Sequence, residues 1–437
     1  MLPITSPWHT LQDKQPILYA LAISVLGSLF LYLAYFKIDL PLLTTLSGLI
    51  WLYLLLPATP KVWFWSGFFI GLFWFWWIAL SFIHYQMPWA IPLVIVAIGL
   101  IYGGLFWLIA KMACDTAQFI PNKSVASQRT LTLFTLTLKA LGLLVLSYIH
   151  PFGFDWFKPE LIFVNTFLGI EKWHFALILA TLTLLHHFRK PWLGLLLLPA
   201  ISLQHPYFTT TPPPGIALVT THITVEEKWN EAKQATIFQS LLKKIDKAIE
   251  ANSTMVILPE SVFPRFLNHE PKLFESLKKR AANINIVTGA LYWDGKTPHN
   301  STYIFTTDGS VTVANKVVLV PFGEANPLPD FLSDWVNRIF YDGAVDYQPS
   351  PHIADYTIGH TTYRNAICFE ATSERLYQGK PQQMIVLSNN GWFVPSIEPT
   401  LQRLLLTYYS RKYGTTILHA VNMSNGYVIY GKSGKKI

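Results

Sequence analysis

The first 204 residues contain a succession of long apolar runs with very few charges between them. Residues 1–204 hold 11 Lys and Arg and 6 Asp and Glu, whereas residues 205–437 hold 22 and 19. A helix of about 20 mostly apolar residues is long enough to cross the hydrocarbon core of a bilayer. The first half is therefore predicted to be a membrane-spanning helical domain, and the second half has the charge content of an ordinary soluble domain.

We predict seven spans in the first half, five from clear apolar runs and two from shorter ones. The first run has no small-residue cleavage site and is followed directly by a second, which indicates a retained anchor and not a removed signal peptide. The five clear runs and then the two shorter runs lie at 16–36, 40–57, 62–84, 88–112 and 130–149, and at 173–187 and 191–204.

The charges beside these spans predict an orientation, because Lys and Arg near span ends stay in the cytoplasm. With an inside N-terminus, the inside segments carry seven Lys and Arg and the outside loops carry three. After seven crossings the second half lies on the other side, which is the periplasmic side of a bacterial inner membrane. Lys139, within the fifth span, is interpreted as a snorkelling side chain or a misplaced span boundary in preference to a pathway residue.

The second half has the pattern of a layered α/β domain. Strand-like runs alternate with helical patterns after the Pro-rich stretch "TTTPPPG" at 209–215, which is typical of a linker. The predicted domains are 1–204 and 205–437. The predicted strands are 215–223, 254–260, 284–293, 301–308, 363–370, 383–390 and 416–423, and the predicted helices are 230–251, 270–282 and 399–413.

Charge and cysteine content exclude several functional classes. The net charge of +8 divides into +5 (11 − 6) for the first half and +3 (22 − 19) for the second, so no concentrated basic surface indicates nucleic-acid binding. Two cysteines cannot form a disulfide framework, and the 13 His lack zinc-site spacings, so no metal and no cofactor are predicted. Cys114 ends the fourth span across the membrane from Cys368, and it is predicted to be a packing residue.

Three places where a strand-like run ends carry residues that could perform chemistry. Glu260 follows the first in "VILPESVFP", Lys316 and Glu324 bracket "NKVVLVPFGE", and Cys368 stands in "AICFE", two residues before Glu370. Strand ends hold side chains rigidly at the mouth of a sheet, and strand alternation would place the thiol and this last carboxylate on one face. Each residue alone has a plainer interpretation, as a helix cap, a surface ion pair or a buried small hydrophobe.

The order Glu, Lys, Cys, with "LPES", "NKVVLVPFGE" and "CFE", resembles the nitrilase superfamily of carbon-nitrogen hydrolases. Joined to a multi-span half, the chain resembles the apolipoprotein N-acyltransferase family of that superfamily. The resemblance implies an α/β nitrilase-like αββα sandwich after the membrane helices. It implies Glu260 as the catalytic base, Lys316 as the oxyanion-stabilising lysine and Cys368 as the nucleophile, with Glu324 and Glu370 in support.

The same resemblance implies substrate contacts and a reaction. Trp229 in "EEKWNE", and Asn389 and Trp392 in "SNNGWF", match the family's positions, although either tryptophan could equally be a packed aromatic residue. The implied reaction transfers an acyl chain from a phospholipid, phosphatidylethanolamine above all, through a cysteine thioester to the α-amino group of a diacylated apolipoprotein. That reaction is the last step of lipoprotein maturation, and a monomer is expected to perform it.

Two alternatives and one departure accompany this resemblance. A membrane-tethered amidase would use the same residues on a small amide with water as acceptor. A transporter or lipid-binding protein with an inactive domain is disfavoured, because all three catalytic residues are present. The family's eighth span has no counterpart before the sequence ends at "GKSGKKI", and both a natural absence and a truncation stay open.

Overall fold

The computed structural model describes most of the chain, in two compact units. The first unit comprises 1–151, 155–205 and 395–404, and the second comprises 152–154, 206–394 and 405–437. The sequence predicts one domain boundary, at residue 204, whereas each of these units consists of several segments. That boundary stays a prediction. The described residues are 12, 14–118, 125–203, 207–326 and 347–431, without the side chains of 118 and 125–127.

The first unit is helical. Each of the first three helices has Pro in its first turn, where the missing N–H costs nothing because that position has no helical acceptor. Shorter helical turns follow α3 at Trp76–Leu80 and Ser81–His84, and a ten-residue 3-10 helix, Pro191–Ala200, follows α6. The α-helices are α1 (Pro16–Tyr35), α2 (Pro41–Leu55), α3 (Pro60–Phe75), α4 (Ile91–Gln118), α5 (Val125–Leu146) and α6 (Lys172–Phe188).

Four helical segments of this unit are long and apolar enough to cross a membrane, and they match the first, third, fourth and fifth predicted spans. The second and sixth predicted spans form α2, with 15 residues, and α6, with 17, and the seventh forms the ten-residue 3-10 helix. At 1.5 Å per residue, α2 is about 22 Å long against a core of about 30 Å. The count of seven spans therefore stays a prediction. The four segments are Pro16–Tyr35, Pro60–His84, Pro88–Ala117 and Gln128–Gly153.

Glycines bring α3 and α4 close together. A Cβ added at Gly67 would lie 2.4 Å from the carbonyl oxygen of Tyr102, and one added at Gly99 would lie 2.6 Å from the ring of Phe68. Small residues of this kind permit close helix packing in membranes, where apolar burial alone does not drive association. Large apolar side chains on several helices of this unit are exposed, which is the pattern of a lipid-facing surface. They include Leu18, Val25, Leu42, Leu93, Leu100 and Leu141.

Lys139 on α5 is buried inside this helical unit. Its ammonium donates a hydrogen bond of 2.7 Å to the carbonyl oxygen of Ala58, between α2 and α3, and lies 5.8 Å from the ring centroid of Trp63. The prediction of a snorkelling side chain is wrong. A carbonyl just beyond a helix end has no intrahelical donor, so it offers the charge an internal acceptor.

The second unit is an α/β domain with two sheets. One sheet has the strand order β1-β12-β11-β10-β9-β8, and the other has the order β2-β3-β5-β6-β7, with β4 paired to β5. The helices are α7 (Val225–Trp229), α8 (Glu231–Glu250), α9 (Pro271–Ala281) and α10 (Glu398–Tyr413), whose first residues belong to the other unit. The strands are β1 (Tyr207–Thr209), β2 (Ile216–Leu218), β3 (Met255–Ile257), β4 (Phe263–Phe266), β5 (Asn285–Trp293), β6 (Pro298–Phe305), β7 (Val311–Asn315), β8 (Asp355–Ile358), β9 (Thr361–Ile367), β10 (Gln383–Asn389), β11 (Thr416–Asn422) and β12 (Tyr427–Tyr430).

The two sheets pack face to face, with helices on their outer sides. Ile257 and Val287 of one sheet share a single buried cluster with Ile385, Leu387 and Leu418 of the other. The outer side of the β2–β7 sheet packs against α8 and α9 in a second buried cluster. On the other sheet, alternation turns Met384, Val386 and Ser388 of β10 outward, where they are also fully buried.

An aromatic stack from α10 completes the layered arrangement. Tyr409 of α10 stacks on Tyr377 at 4.7 Å between ring centroids, and both side chains are fully buried. The predicted α/β sandwich with helices on both sides is confirmed. All seven predicted strands and three predicted helices are present, whereas five strands of three to five residues, β1, β4, β7, β8 and β12, were not predicted.

Candidate active site

The three predicted catalytic residues lie at or just beyond the carboxyl ends of strands. Glu260 comes three residues after β3, Lys316 directly follows β7, and Cys368 directly follows β9. Parallel pairing aligns the ends of β9 and β10, because Ile367 is opposite Leu387 in the register. The sheets therefore hold these side chains on short segments whose starting points are fixed by the strand ladders.

Lys316 is the charged centre of the cluster. Its Nζ lies 2.7 Å from Oε2 of Glu324 and 3.8 Å from Oε1 of Glu260, and its side chain is 1 % exposed. Burial alone would lower the pKa of Lys316, but the charges of Glu324, Glu260, Cys368 and Glu370 outweigh burial and raise it above its usual value. The lysine is a permanent buried cation, so the alternative of a surface ion pair is wrong.

Asn300 joins the two carboxylates that face Lys316. Its Nδ2 donates one hydrogen bond of 2.8 Å to Oε1 of Glu260 and another of 2.8 Å to Oε1 of Glu324. Its main-chain oxygen accepts from the N–H of Lys316 at 2.9 Å, and its Oδ1 accepts from the hydroxyl of Ser261 at 3.3 Å. The sequence contains no signal for Asn300. Its role becomes visible only in the structure, where β6 is buried along its whole length and the amide must therefore find hydrogen-bond partners inside the protein.

Cys368 begins a 3-10 turn, Cys368–Thr372, and does not continue the strand. Its φ of 52° lies in the left-handed region, which a residue with a Cβ rarely adopts. The predicted alternation of Cys368 and Glu370 on one strand face is therefore wrong, because β9 ends at Ile367. Strained backbone of this kind is often found at functional sites, and here it turns a half-buried thiol off the end of the sheet.

Glu370 ties the segment after β7 to the segment after β9. Its Oε1 accepts from the N–H of Ile367 at 2.8 Å, and its Oε2 accepts from the N–H groups of Val317 at 2.7 Å and Val318 at 3.1 Å. Burial raises the pKa of Glu370 to about 7, and the nearby Lys316 charge and these three donors oppose the rise. The carboxylate thus fixes the turn at Cys368 against the residues that follow the buried lysine.

Lys228 is a second buried lysine at this site, which sequence reasoning did not find. It lies on α7 and is 6 % exposed, and its Nζ donates to the main-chain oxygen of Glu260 at 3.3 Å. Burial lowers the pKa of Lys228 to about 8, against the opposing charges of Glu260 and Cys368. The signal was present in "EEKWNE", but the prediction selected the tryptophan of that motif and not the lysine before it.

The three predicted substrate-binding residues have different environments. Trp229, at the end of α7, is 47 % exposed, and Trp392 lies half-buried in the 3-10 turn Asn390–Trp392. Asn389 is buried at the end of β10, where its Oδ1 accepts from the N–H of Gly391 at 3.2 Å and from Nδ2 of Asn422 at 2.7 Å. Its amide thus has structural partners, and the binding roles of all three residues stay predictions.

The cluster combines the parts that nucleophilic acyl chemistry requires. A thiol needs a neighbouring base or cation to react as a thiolate, and a developing oxyanion needs a positive group that is already in place. Glu260 can accept a proton, while Lys316 supplies fixed positive charge at the same site. An α/β domain with these groups that follows a set of apolar helices indicates a class of membrane proteins that perform acyl chemistry.

Comparisons with known proteins specify the family. The model of the apolipoprotein N-acyltransferase integral membrane domain matches residues 14–205. An apolipoprotein N-acyltransferase of Wolinella succinogenes is 42 % identical over 93 % of this chain and 94 % of its own, and one of Helicobacter hepaticus is 35 % identical over 91 % and 96 %. The chain belongs to the apolipoprotein N-acyltransferase family.

Solved structures resemble part of the chain more distantly. A carbon-nitrogen hydrolase superfamily protein of Xanthomonas campestris covers 51 % of this chain and 77 % of its own, with 14 % identity and a TM-score of 0.36.

Proposed function

We propose that the protein is an N-acyltransferase that moves an acyl chain from a phospholipid to the α-amino group of the diacylglyceryl-cysteine of apolipoproteins. The observation that carries the proposal is the buried lysine that lies between two carboxylates, near a cysteine at a strand end. Relatives that match this chain over most of its length are apolipoprotein N-acyltransferases by name. The reaction passes through a thioester on Cys368, so the two substrates react one after the other.

In the first half-reaction, Glu260 takes the proton of the Cys368 thiol, and the thiolate attacks the ester carbonyl of the phospholipid. Lys316 stabilises the oxyanion of the tetrahedral intermediate by charge. The C–O bond then breaks, Glu260 returns the proton to the glycerol oxygen, and a lysophospholipid leaves. Phosphatidylethanolamine is the expected donor, and the product on the enzyme is the acyl thioester.

In the second half-reaction, the free amine of the apolipoprotein attacks the thioester carbonyl. Glu260 takes a proton from the attacking nitrogen, and Lys316 again stabilises the oxyanion. The C–S bond then breaks, the amide leaves, and Glu260 returns the proton to the sulfur, which restores the Cys368 thiol. These steps use side chains of the chain itself, and the proposal includes no metal and no cofactor.

The remaining residues of the cluster hold these groups in place. Asn300 and Glu324 fix the carboxylate and the ammonium that must act together, and Glu370 fixes the nucleophile's turn. Trp229 and Trp392 are proposed to contact the acyl chain, and Asn389 is proposed to shape the site from the end of β10.

The helical unit serves substrates that are themselves anchored in a bilayer. Four helices have the length and composition of membrane spans, and their outward-facing side chains are apolar. We place the protein in the bacterial inner membrane as a multi-pass monomer, with residues 205–437 on the periplasmic side. The excess of Lys and Arg in the segments assigned to the cytoplasm supports this orientation.

An acyl-transfer assay with two cysteine variants tests the proposal. Purified full-length protein in detergent is expected to transfer a labelled chain from phosphatidylethanolamine to a diacylated lipopeptide. Cys368→Ala should abolish the transfer and the hydroxylamine-sensitive acyl adduct, whereas Cys114→Ala, which changes the other thiol, should retain both. Transfer by Cys368→Ala would refute the proposal, and release of free fatty acid with water as the preferred acceptor would favour the amidase alternative.

A further inference from the structure

We propose that Lys228 is a positioning residue of the active site, a second cation that holds the Glu260 segment and favours the thiolate of Cys368. The inference rests on the proposed function only in taking Cys368 as the nucleophile. It assigns a role to the lysine of "EEKWNE" that is independent of any role of the tryptophan beside it.

The backbone around Lys228 is held firmly. Thr224 caps α7 in a capping box with Glu227, and the N–H of Lys228 donates to the Thr224 oxygen at 3.0 Å. The Lys228 oxygen accepts from Nε2 of Gln234 at 3.1 Å, and Oε1 of Gln234 accepts from Nε of Arg265 at 2.8 Å. Because the main chain is fixed on both sides, the direction of the long side chain toward Glu260 is a stable feature of the fold.

The ammonium itself has an unusual set of contacts. Its hydrogen bond to the Glu260 oxygen uses one of three N–H donors, and no carboxylate pairs with it in the described part of the chain. A buried ammonium without an ion-pair partner destabilises a fold, so a purely structural position would be better filled by a neutral side chain. Retention of a lysine is explained if its charge acts on the chemistry of the site.

The charges that Lys228 acts on are the two partners of the first proton transfer. Glu260 and Cys368 are the groups whose charges oppose the effect of burial on this lysine. Among the residues that the structure describes, the second cation of this cluster is Lys316 after β7. The other titratable groups there are Glu324 in the following loop, Glu370 after β9, and Tyr347.

The balance of these charges explains how a second cation favours the thiolate. When Glu260 takes the thiol proton, its negative charge moves to sulfur while the carboxylate of Glu324 remains. Among the described residues, Lys316 and Lys228 are the lysines whose charges interact with both Glu260 and Cys368, and Lys316 is already paired with Glu324 at 2.7 Å. With Lys228 the two negative charges face two cations, so the thiolate forms without an uncompensated buried charge.

The pH dependence of Cys368 alkylation tests this role without any lipid substrate. In full-length protein with Cys114→Ala, so that Cys368 is the one reactive thiol, iodoacetamide alkylation is followed from pH 5 to pH 10. Lys228→Met is expected to move the midpoint of thiolate formation up by about one pH unit, which slows alkylation at neutral pH about tenfold. Lys228→Arg should recover most of the rate, because it restores the charge.

The matched control is Lys233→Met, five residues along the chain, because Lys233 is 54 % exposed and pairs with Glu227 at 3.2 Å. Its alkylation profile is expected to equal that of the parent protein. An identical profile for Lys228→Met and Lys233→Met would overturn the proposal, and Lys228→Gln provides the same comparison if the methionine variant does not fold. Because alkylation needs no acyl donor, failure of the acyl-transfer proposal would show in its own assay and not in this one.

Discussion

Replacing Glu370 should lower the free energy of unfolding, because its carboxylate accepts three hydrogen bonds that join the turn at Cys368 to the segment after Lys316. In Glu370→Ala the N–H groups of Ile367, Val317 and Val318 lose their carboxylate acceptor inside the protein. An unsatisfied buried donor costs about 1–3 kcal/mol, so the buried N–H groups of Ile367 and Val317 together cost at least about 2 kcal/mol. The half-buried N–H of Val318 and the space left by the side chain bring the loss to about 3 kcal/mol or more.

Glu370→Gln should be more stable than Glu370→Ala, and these two variants are compared because neither carries the buried charge that opposes folding of the parent above pH 7. The amide keeps one acceptor oxygen, so either the donor on the Ile367 side or the pair at Val317 and Val318 faces an NH₂ group. The expected loss is about 1–3 kcal/mol for each donor left without an acceptor. The glutamine variant is therefore expected to be the more stable of the two variants.

Thermal unfolding followed by tryptophan fluorescence in detergent measures these differences. The assay is run at pH 8, above the pKa of about 7 that burial gives Glu370, so that the parent carries a carboxylate. For a domain of this size 1 kcal/mol corresponds to about 2–4 °C, so a loss of 3 kcal/mol lowers the midpoint by about 6–12 °C. The surface control Glu275→Ala should unfold like the parent. If Glu370→Ala unfolded at the same temperature as Glu370→Gln, the hydrogen bonds accepted by Glu370 would not stabilise the protein.

Three further expectations concern single residues of the same unit. Asn300→Leu removes the donor shared by Glu260 and Glu324, so the rate of acyl transfer should fall about 100-fold. The surface control Asn268→Leu should leave that rate unchanged, and equal rates in the two variants would contradict the role of Asn300. Burial lowers the pKa of Lys228 to about 8 from 10.5, so its charge destabilises the fold most below pH 8 and less as the pH rises to 10.5. Lys228→Met should therefore stabilise the protein by about 3 kcal/mol at pH 7, and melting curves that show a loss of stability would contradict this expectation. Burial lowers the pKa of His419 to about 3 from 6.5, so the free energy of unfolding should be highest above pH 6.5 and fall by about 1.4 kcal/mol per pH unit toward pH 3. His419→Gln should reduce that pH dependence, and an unchanged slope would show that other groups cause it.

The sequence predicted the elements of the second unit well because its long strands are apolar runs bounded by turn residues. β5 and β10, for example, lie within one residue of the predicted ranges. The missed strands have three to five residues, too short for a pattern to show. In the first unit, composition identified the membrane helices, but it could not give the number of spans, because apolar content alone does not fix where a helix ends.

The candidate site was predictable where residues stand at the ends of long strands and unpredictable where contacts join distant segments. Glu260, Lys316 and Cys368 were found from position and order. Asn300 is 40 residues from Glu260 and Lys228 is 32 residues from it, so no local pattern reveals either contact. The turn at the cysteine was also hidden, because no glycine marks the left-handed conformation there.

That left-handed conformation has an evolutionary consequence. A position with φ near 52° favours glycine, which adopts it without steric cost, or asparagine, which tolerates it better than most residues. Selection for folding alone would therefore drive Cys368 toward one of these residues. In a lineage that no longer needed the thiol, we expect this codon to be among the first of the site to change, and the change would raise stability while it ended catalysis.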